Sequence, residues 1–300
     1  MWCGQKTSAV NTVSTAESEP ENLALKLGTC FGGESRKGEI EVVMELYRLE
    51  YVEGWKMNEI LAKQLAIDFC TDIPFVYSKE NIFTEYKPIQ GRRIFREGEC
   101  FLKVASVNGK ILASGKKEII EWAQEKYKDV NGAWFMDMES LHELESGLSK
   151  FGCHVGQAHP FYIATKKSEV DRKDYEIKIF VGKELEQFRG DDRFGEAFLF
   201  EDVPKDEIGV GAYRHGKLLG MAGATSDSDM MWQIGINVMP EAEGFGVGST
   251  LVTILKNEIL DRGKLPFYGT SMSHIASQRV ALAAGFLPAW SELYCEVISR

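Results

Sequence analysis

The stretch MWQIGINVMPEAEGFGVGSTLVTILKNEIL, residues 231–260, decides the fold. Trp232, Ile234, Ile236 and Val238 alternate with Gln233, Gly235, Asn237 and Met239, which is the period of a β-strand with two distinct faces. Pro240 closes that strand. Glu243 and the glycines at 244, 246 and 248 follow, and then Leu251, Val252, Leu255 and Ile259 recur at helical spacing until Gly263 and Pro266 stop them. The unit is a strand, a glycine loop and a helix. Glycines let the backbone approach a ligand closely, and the amides entering a helix are unsatisfied donors with partial positive charge, so a phosphate suits this loop. The competing reading is a tight turn that uses glycine only for its backbone angles. A dinucleotide fingerprint needs G-x-G-x-x-G early in a βαβ unit, and a P-loop ends in Lys-Ser/Thr; the spacing here is G-x-G-x-G without that ending.

Downstream, residues 267–272 read as a second strand. Ser273 is placed to cap a helix whose inner face is Ala276, Val280, Ala283 and Ala284, Gly285 ends it, and residues 289–297 form a last strand. The series Val238-Met239-Pro240, residues 243–248, Ser273-His274, Ser277 and Gly285-Phe286 resembles motifs A and B of the GNAT superfamily, the general-control-related N-acetyltransferases, over about residues 171–300. The resemblance implies a mixed α+β fold, a central mixed sheet flanked by helices, preceded here by an N-terminal α/β module.

It also implies an activity: transfer of an acetyl group from acetyl-CoA to the amine of a small molecule or an exposed amino group, directly in a ternary complex. The pyrophosphate would sit on amides of Gly244, Phe245, Gly246, Val247, Gly248 and Ser249, and the pantetheine arm would pair like an extra strand with Asn237, Val238 and Met239. Three positions depart from the family pattern. Glu243 replaces the usual Gln or Arg that opens the loop, His274 stands where Asn is frequent, and Ala281 stands where many members carry the tyrosine that protonates the CoA thiolate. Ser277 and His274 are then candidate acids, and a thiolate also leaves tolerably unaided. No Glu occupies strand 231–238, so Asp229, Gln233 and Asn237 are candidates for a base or a water relay. Without the tyrosine and an obvious base, a noncatalytic acyl-CoA-binding regulatory module is the alternative.

Upstream, residues 1–38 are polar and read as a flexible leader, and residues 39–170 as a mixed α/β module, either a degenerate second copy or an extension on the substrate side. That module begins with helical spacing in Val42, Val43, Leu46, Tyr47 and Leu49, then Ile60, Leu61, Leu65, Ala66 and Phe69. A hairpin turns at Asn108-Gly109, and helices follow at 118–127 and 141–148. The charged residues 171–174 mark the module boundary. Beyond them come a strand at 175–181, a helical segment at 183–188 and a hairpin through His215-Gly216.

Thirty-five Lys and Arg against 45 Asp and Glu give a net charge of −10, which disfavours nucleic acid and anionic membrane as partners and suits a cationic acceptor. Asp191, Asp192 and Glu196 are acidic residues in the segment expected to select it, although a solvated face is the better reading of them. No apolar run is long enough to span a bilayer. The six cysteines lie far apart with no CxxC pair, which suits a reducing compartment, the cytoplasm. Cys153, His154 and His159 are three potential metal ligands, but a tetrahedral site needs a fourth and Gly156–Pro160 reads as a turn feeding a strand, so no metal is expected.

Overall fold

The alternating stretch around Ile234 lies in the interior of one ten-stranded sheet. The computed structural model describes residues 57–94, 100–171 and 173–298; the leader at 1–38 and the helix expected from Val42 to Leu49 fall outside them. The strands are β1 (Ile82–Glu85), β2 (Leu102–Val107), β3 (Lys110–Gly115), β4 (Cys153–Ile163), β5 (Glu176–Val181), β6 (Lys205–Arg214), β7 (Lys217–Ser226), β8 (Met231–Val238), β9 (Leu265–Gly269) and β10 (Leu287–Val297). Their spatial order is β1-β3-β2-β10-β4-β9-β8-β7-β6-β5. Only β1 with β3 and β8 with β9 are parallel; every other pair is antiparallel.

The order shows how the two halves of the chain meet. β4, from the first half, is inserted between β9 and β10 of the second half, pairing Phe161–Ile163 with Phe267–Gly269 and running along β10 from Leu287 to Val297. The charged link at 171–174 therefore joins strands of the same sheet, and residues Met57–Arg300 form one compact unit. The turn expected at Gly156–Pro160 is absent: β4 runs through it, because hydrogen bonding to β10 overrides the local turn preference of Gly and Pro. Pro160, which has no N–H to give, sits where the pairing with β9 ends.

Helices α1 (Glu59–Asp68), α2 (Ile73–Tyr77), α3 (Lys117–Tyr127), α4 (Met138–Leu148), α5 (Val247–Asp261) and α6 (Ile275–Ala283) flank the sheet. The Asn58 side chain accepts from the amides of Ile60 and Leu61 and so starts α1. The hairpin turns work as their sequences dictate: Asn108 and Gly109 have φ of 50° and 77°, His215 and Gly216 have 51° and 74°. Residues Gly182–Phe188, expected to be helical, form 3₁₀ turns. No described helix is long and apolar enough to cross a membrane.

A buried polar network ties α1 to the second half. Arg93 pairs with Asp68 at 2.5 Å and with Glu292 of β10 at 2.8 Å, all three side chains being nearly inaccessible, and the guanidinium lies over Trp290 and Phe267. Trp290 Nε1 donates to the same Glu292 oxygen, Gln64 donates to Asp68, and Ser228 Oγ donates to Gln64. Each charge is thus opposed and hydrogen-bonded, the condition under which burial is tolerated.

Asp227, 4 % exposed, lies beside this network and accepts from Thr225 Oγ1 at 2.6 Å. Burial pushes its carboxyl up to about 7 against the opposing pull of the Thr225 hydrogen bond and Arg93. The unfolded group ionises near 4, so between about pH 4 and 7 the unfolded chain binds fewer protons here and stability falls as pH rises. The full span corresponds to about 4 kcal/mol as an order of magnitude. Asp227→Asn should therefore unfold at higher denaturant than wild type at pH 8 and at nearly the same denaturant at pH 4; equal midpoints at pH 8 would contradict it.

Candidate active site in the splay between β8 and β9

β8 and β9 are paired over only three residues, Met231 with Leu265, Trp232 with Pro266 and Gln233 with Phe267. Beyond Gln233 the strands diverge, while β8 continues along β7 to Val238. One backbone edge of residues 234–238 therefore has no strand beside it. A sheet edge of this kind accepts an extended ligand by main-chain hydrogen bonds, and Asn237, Val238 and Met239 lie at its far end. Asn237 and Val238 are half-buried and Met239 is buried.

The glycine loop follows at that end. Gly244 and Gly246 have φ of 77° and 79°, the left-handed region that excludes most side chains. Gly246 is the residue before α5, and no side chain caps the amides of that helix's first turn, which have no acceptor of their own. Ser249 Oγ turns back to the Gly246 carbonyl at 3.1 Å. The structure adds a cation the sequence reading placed in a link: Lys173 Nζ donates to the Phe245 carbonyl at 2.6 Å, joined there by Tyr175 Oη at 3.1 Å. Thr250 of α5 holds the same strap through the Asp171 carbonyl. Lys173 thus brings a positive charge to the loop that Glu243, exposed at its start, opens with a negative one. A groove of about 220 Å³ adjoins the loop, lined by Tyr175, Arg214, Leu219, Phe245 and Val247 among others, with Arg214 over the Tyr175 ring.

Across the splay, α6 presents Ser277 and, one turn later, Ala281. Ser277 Oγ is 2.8 Å from the hydroxyl of Tyr268 in β9. Ala281 is fully buried, and the Tyr268 ring packs against Phe286. Burial raises the Tyr268 phenol above its usual value, the Ser277 hydrogen bond pulls part of that back, and the Glu196 carboxylate adds to the rise. It stays protonated at neutral pH, a donor supplied by β9 where α6 has alanine. The signal available in sequence was Tyr268 alone, a polar-tipped residue closing an apolar strand. His274 is exposed and is itself the residue before α6, making no side-chain cap; Ser273, expected in that place, has its hydroxyl 3.2 Å from that of Ser271.

The remaining candidates fall in three places. Gln233 is the last β8 residue paired with β9, at the root of the splay. Asn237 Oδ1 accepts from the amides of Glu196 at 3.0 Å and Ala197 at 2.9 Å. Asp229 lies in the β7–β8 turn, at the opposite end of β8 from the loop, about 25 Å away at roughly 3.3 Å per residue. It stands four residues before Gln233, the residue at the root of the splay. The segment carrying Glu196 passes so close to the sheet that a Cβ on Gly235 would overlap the Glu196 carbonyl, and one on Gly223 the Ala197 carbonyl. Cys153 is buried among Leu144, Leu148 and Leu293, whereas His159 Nδ1 lies 3.2 Å from the Thr270 carbonyl. Among the described residues no group of three His, Cys, Asp or Glu is arranged to hold a metal ion.

Residues 175–286 match the model of the Acetyltransferase (GNAT) family. No curated protein matches the chain. Among solved structures, the chain is similar to a GCN5-related N-acetyltransferase from Kribbella flavida at 14% identity, covering 53% of this chain and 64% of that one, with a TM-score of 0.40. A GCN5-related N-acetyltransferase from Sphaerobacter thermophilus gives 15% identity, 55% and 58% coverage and a TM-score of 0.40. YncA from Salmonella typhimurium, solved with its cofactor acetyl-CoA, gives 17% identity, 31% and 65% coverage and a TM-score of 0.26. In each of these three cases less than two thirds of the solved chain is spanned. The matched span opens just before β5 and closes just before β10, so it holds the diverging strands, the glycine loop and α6, and the C-terminal part of this chain is a domain of the GNAT acetyltransferase family.

Proposed function

We propose that the protein is an acetyl-CoA-dependent N-acetyltransferase acting on a small amine or an exposed amino group by direct transfer in a ternary complex. The observation that carries the reading is the open edge of β8 leading into an uncapped helix N-terminus, with Lys173 on the loop between them. The pyrophosphate would rest on the amides of residues 245–249 and near Lys173, and the pantetheine arm would run along residues 237–239. The thioester would then lie in the splay. Acetyl-CoA supplies the activated acyl group; the chain orients it, excludes water and manages protons.

Tyr268 is proposed as the donor to the departing sulfur, with Ser277 holding its hydroxyl. This weakens the alternative of a noncatalytic acyl-CoA sensor, which rested on Ala281 and the absent base. Tyr268→Phe should lower the rate of thiol release about 10- to 100-fold while acetyl-CoA affinity by calorimetry changes less than about twofold. An unchanged rate would remove Tyr268 from the mechanism. Wild-type protein that takes up no acetyl-CoA would overturn the function itself.

A further inference from the structure

We infer that Glu196 receives the acceptor ammonium and takes its proton, and that Asn237 is the residue that positions it. The inference rests on the reading above and supplies the base that strand β8 lacks. Three features hold Glu196 at the splay. The Asn237 side chain accepts the amides of residues 196 and 197 together. Gly235 and Gly223 leave the space through which the backbone of those two residues crosses the sheet. Phe194, Ala197 and Phe198, buried on either side, anchor the segment in the core.

The carboxylate itself is left exposed, with no ion pair among the described residues, whereas Asp191 nearby is paired with Arg193 at 2.7 Å. The titratable group that responds to its charge is the Tyr268 phenol, whose upward shift includes a contribution from Glu196; on its own segment lie the Asp191–Arg193 pair and Asp192. The backbone of Glu196 lies over β8 at Gly235 and Asn237, past the last residue paired with β9, and Tyr268 is the β9 residue just past that same pair.

The step balances as follows. One ammonium proton passes to the Glu196 carboxylate, and the nitrogen lone pair forms the C–N bond to the thioester carbon. The C–S bond breaks, the electron pair leaves on sulfur, and the thiolate takes the Tyr268 proton. The second nitrogen proton, lost through solvent, restores the phenol, and Glu196 releases its own proton to solvent. A neutral glutamine at 196 can hydrogen-bond an amine but cannot accept the proton.

The test compares Glu196→Gln, Asn237→Ala and Asn237→Asp with wild type, measuring acetyl-CoA affinity by calorimetry and thiol release with a polyamine, an arylalkylamine and a lysine-containing peptide. Glu196→Gln is expected to lose about 100- to 1,000-fold in kcat/KM, with acetyl-CoA affinity within about twofold. Asn237→Ala should lose at least about tenfold in kcat, and Asn237→Asp, whose carboxylate accepts the same two amides, should recover most of it. The inference is overturned by a Glu196→Gln rate within about threefold of wild type, or by Asn237→Asp as slow as Asn237→Ala. Wild type that binds acetyl-CoA but transfers to none of the amines also overturns it and favours the sensor; wild type that does not bind acetyl-CoA overturns the proposed function instead.

Discussion

Gly246→Val is expected to weaken acetyl-CoA binding by more than about 100-fold, the equivalent of about 2.7 kcal/mol, and to abolish turnover at ordinary acetyl-CoA concentrations. Two effects combine. The backbone at 246 has φ of 79°, where a branched side chain costs roughly 1–2 kcal/mol, so the loop relaxes away from the geometry that gathers its amides. A Cβ there would stand 2.6 Å from Lys173 Nζ, pushing aside the cation and occupying the approach to the α5 amides. The protein should remain folded, because Gly246 is half-buried on a surface loop and none of its atoms enters the core. Calorimetry with circular dichroism as a control checks this; a folded variant binding within about threefold of wild type would refute the placement of the pyrophosphate.

Arg93→Met is expected to destabilise the fold by about 3–5 kcal/mol, because it leaves the buried Asp68 carboxylate without its ion-pair partner and the buried Glu292 carboxylate with Lys103 as its remaining nearby cation. The loss falls on the joint between α1 and β10, so both halves of the chain should unfold together. Neutralising the orphaned partners tests the cause: Arg93→Met with Asp68→Asn and Glu292→Gln should regain more than half of the loss, since the desolvation cost disappears with the charges. Urea denaturation followed by tryptophan fluorescence reads both, Trp290 being within the network. A single variant losing less than about 1 kcal/mol, or a triple variant no better than the single, would contradict the account.

Much of the second half was legible because its local signals agree with one another. The alternation at 231–238, Pro240, the glycines and the helical spacing after Val247 each specify their own conformation, and the structure places β8, the loop and α5 accordingly. What local signals do not carry is which strand lies beside which. β4 comes from a stretch whose Gly and Pro favour a turn, and only its pairing with β9 and β10, more than 100 residues away, makes it a strand. The buried triad was hidden for the same reason: Asp68 and Arg93 look like surface residues until Glu292 is brought against them.

The site divides along the same line. The residues proposed for the cofactor, 237–239 and 244–249, follow one another in the chain, so a single motif names them. The side chains proposed to handle protons come from separate elements, Tyr268 from β9, Ser277 from α6 and Glu196 from the segment over β7 and β8, and the loop cation Lys173 comes from the link before β5. Here Asn237, sought as a water relay, spends its side chain on the amides of residues 196 and 197. Asp229, near β8 in sequence, is separated from the loop by the length of that strand.

The most direct test of the central claim is to incubate wild-type protein with acetyl-CoA and a panel of primary amines, following free thiol and the acetylated amine by mass spectrometry. The account predicts that thiol and acetylated amine appear in equal amounts, with no acetylated enzyme accumulating, and that Gly246→Val abolishes both. Binding of acetyl-CoA without acetylated amine from any member of the panel would contradict it.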